Sequence, residues 1–253
     1  MKGIVGRTVA AARAVGVRVL AKDAARAARW ITMPGKRRRP QLAQIHSAKT
    51  SGEIFEAAWE FAPQQVEQEI VSFLDLVNAE QPRLIVEIGS ASGGTTFMLS
   101  RVTPPDATII SVDLYVRNKF QLRRSAQPSQ RLTLIDGSSR DPETLRAIED
   151  ILAGRLLDLL FIDGDHSYEG VASDFRLYRH LVREGGLVAF HDIQPDGWDR
   201  GPSPAWSGGV PDFWRAVRDS YERQELIGSP EQLGYGIGVI RYTSKAVLPA
   251  ELG

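Results

Sequence analysis

Five short β-branched runs, each with a glycine or an acid at or next to its end and each separated from the next by a helical stretch, constrain this chain most. They are RLIVEIGS (83–90), ATIISVD (107–113), RLTLIDG (131–137), LDLLFIDG (157–164) and GGLVAFHDI (185–193). Near-continuous apolar runs of this length read as strands buried on both faces. Helical periodicity surrounds them, as in Val66, Ile70, Phe73, Leu74 and Val77, or in DPETLRAIEDIL, where Asp141 is placed to cap and Pro142 to open a helix. Alternating strands and helices imply right-handed crossovers and a parallel sheet covered on both sides, a doubly wound α/β domain. After a helix near 212–221 come two strand-like segments, 225–228 and 235–242, with no helix between them. They predict a C-terminal antiparallel hairpin and a mostly parallel, seven-stranded sheet.

Charge divides the chain unevenly. The first 40 residues hold 11 Lys and Arg against one acid, Asp23, although the formal net charge over all 253 residues is zero. Arg18, Lys22, Arg26 and Arg29 share one helical face, and Val17, Leu20, Ala24, Ala27 and Ile31 share another. KRRRP closes the segment. A helix packed on the domain or on a partner subunit, a helix lying on an anionic membrane, and a nucleic-acid arm are the three readings. The packed helix is preferred, no nucleic-acid partner is expected, and peripheral membrane contact through residues 1–39 and homo-oligomerisation stay open. No apolar run is long enough to span a bilayer, so a cytoplasmic protein, with membrane contact at most peripheral, is expected. The sequence has no cysteine, which excludes thiolate metal sites and thiol nucleophiles and leaves oxygen and imidazole as metal ligands. The expected organisation is a basic segment (1–40), a connecting or lid segment (41–62), the catalytic domain (63–245) and a tail (246–253).

Ligands of open parallel sheets bind beyond the carboxyl ends of the strands. Acids gather there: Glu87, Asp113, Asp136, Asp163 and Asp192 belong to the five successive runs. Unpartnered buried carboxylates cost several kcal/mol, roughly, so the five are expected around one polar cavity. EIGSASGG (87–94) does not follow the G-x-G-x-x-G of a pyrophosphate loop, and its acid, two residues before Gly89, suits a cationic ligand better. Asp113, about 24 residues beyond Gly89, is where an acid can take both hydroxyls of a ribose. Between the fifth run and the helix, 194–214 holds Trp198, Trp206 and Trp214 among glycines and prolines, and is expected to close over an acceptor.

With ExGxxxGG at 87–94, Asp113 and LIDGS in order, the chain resembles the class I S-adenosylmethionine-dependent methyltransferases over roughly 63–242. The resemblance implies a Rossmann-like methyltransferase fold. It also implies cofactor contacts by Glu87, Gly89, Ser90, Gly93, Gly94, Asp113, Leu114, Asp136, Gly137, Ser138 and Asp163, with Asp136 on the adenine side. DGDHSYEGV (163–171) with GGLVAFHD narrows the likeness to the branch of macrolide-sugar O-methyltransferases and cephalosporin-hydroxylase-like proteins. That branch implies a divalent cation, magnesium or manganese, on Asp163 and Asp192, with His191 in the position of a third acid. It also implies His166 as general base, and hence methylation of a hydroxyl on a sugar, glycoside, glycolipid or other small-molecule acceptor. Imidazole at position 191 favours manganese, iron or zinc over magnesium. Asp165 could support His166 or join the metal ligands. A nicotinamide-dependent oxidoreductase and a non-enzymatic binding module on the same fold are the competing readings.

Overall fold

The computed structural model describes residues 17–32, 45–197, 206–250 and 252. Helix α1 (Val17–Thr32) precedes a layer of α2 (Ser51–Ala58), a 3-10 turn (Trp59–Phe61) and α3 (Glu67–Glu80). Thereafter strands and helices alternate: β1 (Leu84–Ile88), α4 (Gly94–Val102), β2 (Thr108–Asp113), α5 (Lys119–Ser125), β3 (Arg131–Asp136), α6 (Pro142–Leu152), β4 (Leu157–Ile162), α7 (Tyr168–Tyr178) and β5 (Val182–His191). Helix α8 (Val210–Val217) leads to the hairpin strands β6 (Glu222–Leu226) and β7 (Ile237–Arg241). All seven strands form one sheet in the order β3-β2-β1-β4-β5-β7-β6, parallel except for β7 against β5 and β6. The expected fold is therefore present, and its switch point lies between β1 and β4.

Strand alternation feeds two cores. Along β1, Leu84, Val86 and Ile88 join a cluster with Ile148, Phe175 and Phe213, under α6, α7 and α8. Ile85 joins the opposite cluster with Phe55, Phe73 and Phe97, under α2, α3 and α4. Helix α2 begins with a capping box, in which the Thr50 hydroxyl accepts from Glu53 N–H and the Glu53 carboxylate accepts in return from Thr50 N–H.

Several boundaries move. Residues expected to be a connector include α2 and the Trp59–Phe61 turn, whose Ile54, Phe55 and Phe61 are core. The expected tail is not free, because Leu252 is buried in the first cluster and Ala246 and Leu248 pack against it. Asp141 is the N-cap residue of α6, yet its side chain makes no capping hydrogen bond. Helix α1 leaves Leu20, Asp23 and Ala27 half-buried and Ala24 exposed, so among its described side chains Ala24 departs from the apolar stripe read in the sequence and Asp23 joins the half-buried face. KRRRP lies outside the described residues. Among the described residues no helix is long and apolar enough to cross a membrane.

Asp174, buried in α7, accepts from Ser139 Oγ at 2.6 Å, and burial pushes its carboxyl up to about 6. A raised carboxyl pKa favours the folded state below the unfolded value, and that contribution disappears as pH rises through about 6. The melting temperature of wild type relative to Asp174→Asn is therefore expected to fall between about pH 4 and 7, by the equivalent of roughly 1–3 kcal/mol. Parallel melting curves across that range would remove the assignment.

Candidate active site

The tips of the central strands surround a cavity of about 830 Å³. Gly89, Ser90, Gly94, Asp113, Leu114, Gly137, Ser138, Asp163, His166, His191 and Asp192 all line it. Three residues expected at the cofactor do not. Gly93 caps α4 from behind, in the left-handed region at φ 87°. Asp136 gives one oxygen to Val116 N–H at 2.9 Å and the other to Lys119 Nζ at 2.5 Å, so it braces the turn after β2.

Glu87 is the third, and it lies fully buried beneath the glycine loop. One carboxylate oxygen, Oε2, accepts from the Ser111 and Thr96 hydroxyls, the former at 2.6 Å. The other has no hydrogen-bond partner among the described residues. Burial outweighs the two hydroxyls and pushes this carboxyl up to about 7. Asp113 reaches the cavity and fastens the loop, with Oδ2 accepting from Ala91 N–H at 2.8 Å and Oδ1 from Tyr115 N–H at 2.9 Å. Burial raises its pKa in spite of those bonds.

Four side chains converge between the ends of β4 and β5. His191 Nδ1 lies 3.3 Å from Asp163 Oδ1 and 3.2 Å from Asp192 Oδ2. His166 Nε2 lies 3.4 Å from each of the same two oxygens. The Nδ1–H of His166 donates to the Trp206 carbonyl at 2.6 Å, which fixes the ring and turns Nε2 toward the acids. Neither His191 nitrogen nor Asp192 Oδ1 makes a well-directed hydrogen bond, although all are buried. Asp163, His191 and Asp192 each offer one ligand atom within 4.8 Å of the others, a donor set that fits a cation. Asp192 adopts the left-handed region at φ 61°, a strained conformation that aims its carboxylate into this ring.

The electrostatics follow. Burial opposes ionisation of Asp163, but the neighbouring His191 and His166 hold its pKa below the usual carboxylate value. The bond to Asp163 raises His166 to about 9 against the effect of burial. Burial lowers His191, yet Asp163 and Asp192 outweigh it and carry the ring to about 10. The two neighbouring carboxylates favour the protonated form of both imidazoles. The simple expectation of a neutral His166 thus needs the charge of the two acids to be offset.

Sequence reasoning misplaced some residues and missed others. Asp165 lines the cavity beside His166, where its carboxylate pairs with Arg140 Nη2 at 3.0 Å and accepts from Ser167 N–H at 3.0 Å. Of the three tryptophans in 194–214, Trp206 lines the cavity, Trp214 is buried within α8 and donates to Glu225 Oε1 at 2.7 Å, and Trp198 lies outside the described residues. Trp59, Gln65, Arg140 and Tyr235 also line the cavity. Trp59, 60% exposed, meets Phe55 edge-on with ring centroids 6.0 Å apart.

Residues 86–193 match a family model described as a methyltransferase domain. Over that segment, which is less than half of the chain, the sequence is that of a methyltransferase domain. A ribosomal RNA large subunit methyltransferase E of Variovorax paradoxus is 29% identical over 51% of this chain and 58% of its own. A rhamnosyl O-methyltransferase of Mycobacterium bovis is 22% identical over 62% of this chain and 67% of its own. Across the curated relatives, the chain spans from 32% to 67% of their lengths. Among solved structures, the methyltransferase MycE of mycinamycin biosynthesis, in complex with Mg, S-adenosylhomocysteine and mycinamycin VI, superposes with a TM-score of 0.54 at 16% identity. That match covers 81% of this chain and 58% of MycE, and it concerns the fold.

Proposed function

We propose that this domain transfers the methyl group of S-adenosylmethionine to a hydroxyl of a sugar, glycoside or glycolipid, with His166 as the base. The observation that carries the reading is the convergence of His166 Nε2 with Asp163 and Asp192 in the cavity that the glycine loop lines. Gly89, Ser90, Gly94, Asp113, Leu114, Gly137, Ser138 and Asp163 are the proposed cofactor contacts, with Glu87 beneath them. A carboxylate under the methionine end suits a sulfonium and an ammonium, and Asp113 can reach a ribose.

An alcohol attacks poorly until its proton is shared. In the proposed step the acceptor oxygen bonds to the methyl carbon, the carbon–sulfur bond breaks, and the hydroxyl proton passes to His166 Nε2. Asp163, His191 and Asp192 would hold a divalent cation, manganese fitting the imidazole better than magnesium. Such a cation would supply positive charge to offset the two acids, favouring neutral imidazoles, and would polarise the hydroxyl. Trp206 and Trp59 offer faces on which a sugar ring can stack. The rhamnosyl O-methyltransferase relative supports this acceptor class.

Calorimetry with S-adenosylhomocysteine and NAD, followed by methyl-transfer assays on glycosides and on RNA with and without manganese, tests the reading. Binding of the nucleoside thioether but not NAD, with turnover on glycosides only, is expected. Turnover confined to RNA would replace the acceptor, and binding of NAD alone would replace the enzyme class.

A further inference from the structure

Helix α1 lies outside the segment matched as a methyltransferase domain, yet its side chains reach the turn after β2, which is itself bonded to the loop that would hold the cofactor. The contact is made by the one acid in an otherwise basic stretch. Asp23 Oδ1 accepts from Asn118 N–H at 2.8 Å, and Oδ2 accepts from the Tyr115 hydroxyl at 2.9 Å. Nearly one turn later, Arg26 Nη1 donates to Asn118 Oδ1 at 3.1 Å. Leu20 and Ala27 are only half-buried beside these bonds, so polar geometry rather than apolar burial dominates the described contact.

Asn118 joins the helix to the loop. It is buried and left-handed at φ 56°, and it stands at the N-cap of α5 without capping it. Its amide instead donates to the Ser92 carbonyl at 2.8 Å, inside EIGSASGG. Next to it, Arg117 N–H donates to the Ala91 carbonyl at 3.0 Å, and Ala91 is itself left-handed at φ 44°. Two non-glycine residues in an unfavourable conformation thus face each other across these bonds, which must hold them there. Ala91 and Ser92 line the cavity, and Ala91 N–H is the group fastened to Asp113.

We infer that α1 is a strap that keeps the cofactor loop in its binding shape, with Asp23 and Arg26 acting through Asn118 as positioning residues. A loop ordered before binding does not lose that conformational freedom on binding, so the strap raises affinity without touching the ligand. The inference rests on the cofactor reading above. It also makes the basic segment inseparable from cofactor binding, unlike a membrane anchor.

The test uses the full chain. Asp23→Ala is expected to weaken S-adenosylhomocysteine about tenfold by calorimetry, equivalent to roughly 1.4 kcal/mol. KM for S-adenosylmethionine should rise in step while kcat at saturation holds, and ligand-free amide exchange across 89–94 should accelerate. Asp23→Asn, which retains one carbonyl acceptor, should recover part of the affinity. Lys22→Ala, at an exposed position of the same helix, should change nothing. Wild-type affinity and exchange in Asp23→Ala would overturn the strap, as would an equal loss in Lys22→Ala. If wild type itself fails to bind the thioether, the cofactor reading falls instead, and the exchange rates alone still decide the strap.

Discussion

His166→Ala is expected to lower turnover by about 10²- to 10⁴-fold, the usual contribution of a positioned base, while S-adenosylhomocysteine affinity stays within about twofold. The fall should come from the side chain rather than from a collapsed loop, because the backbone holds that loop independently. The His166 carbonyl accepts from Gly209 N–H at 2.7 Å, a bond that survives loss of the ring. What disappears is the Nδ1–H bond to the Trp206 carbonyl and the nitrogen between Asp163 and Asp192. Single-turnover rates would separate the chemical step from release. A variant that turns over like wild type would show the proton leaving by another route, and a large drop in cofactor affinity would show that the ring does structural service first.

The central sheet was legible because β1, β2, β4 and β5 are dominated by apolar residues buried from both sides, a signal that periodicity alone carries. The edge was less so. Strand β6 reads ERQEL, three of its five residues are exposed, and its start lies three residues before the expected one because nothing apolar marks it. Trp214 falls in both the closing loop and the helix expected near 212–221, and the structure gives it to the helix, with the indole turned into the core. Residues 246–253 looked like a tail because the cluster that receives Leu252 comes from distant parts of the chain. No local pattern can announce such a contact.

For the candidate site, strand-end position located the acids but not the way each spends its oxygens. Asp113, Asp163 and Asp192 reach the cavity. Asp136 stands in register with Asp113 on the neighbouring strand, yet Lys119, 17 residues away, turns it aside. Glu87 was placed correctly in the chain, but its burial under Thr96 and Ser111 depends on residues from α4 and β2. The ring of two acids and two imidazoles is a related case: its members could be named in sequence, whereas its charge balance depends on distances. Those distances make both histidines much more basic than an isolated imidazole, and so make the acids' neutralisation the central electrostatic problem of the site.

Gly89→Ala should be the most damaging single methyl in the molecule. Gly89 follows β1 at φ 92°, and an added Cβ would sit 1.7 Å from the Asp163 carbonyl oxygen and 2.3 Å from its carbon. Both neighbours are backbone. Gly89 N–H is bonded to the Val112 carbonyl at 2.8 Å, and Asp163 N–H to the Ile88 carbonyl at 2.8 Å, so relief requires prising β1 from β4 or β2 at the switch point. Overpacking against fixed backbone, added to the positive φ, should cost about 3–5 kcal/mol. For a chain of 253 residues that corresponds to a melting temperature lower by roughly 6–20 °C, or to insoluble protein. Gly154→Ala isolates the conformational part, since Gly154 also has positive φ, at 78°, but an added Cβ would meet nothing within 4 Å. That control should lose only about 1 kcal/mol and bind S-adenosylhomocysteine normally. Any Gly89→Ala protein that remains folded should lose binding, because the displaced Asp163 carbonyl lies under the same cavity wall. Equal melting temperatures for the two variants would mean that the strands at the switch point separate at little cost, and the tight seam assigned to them here would be wrong.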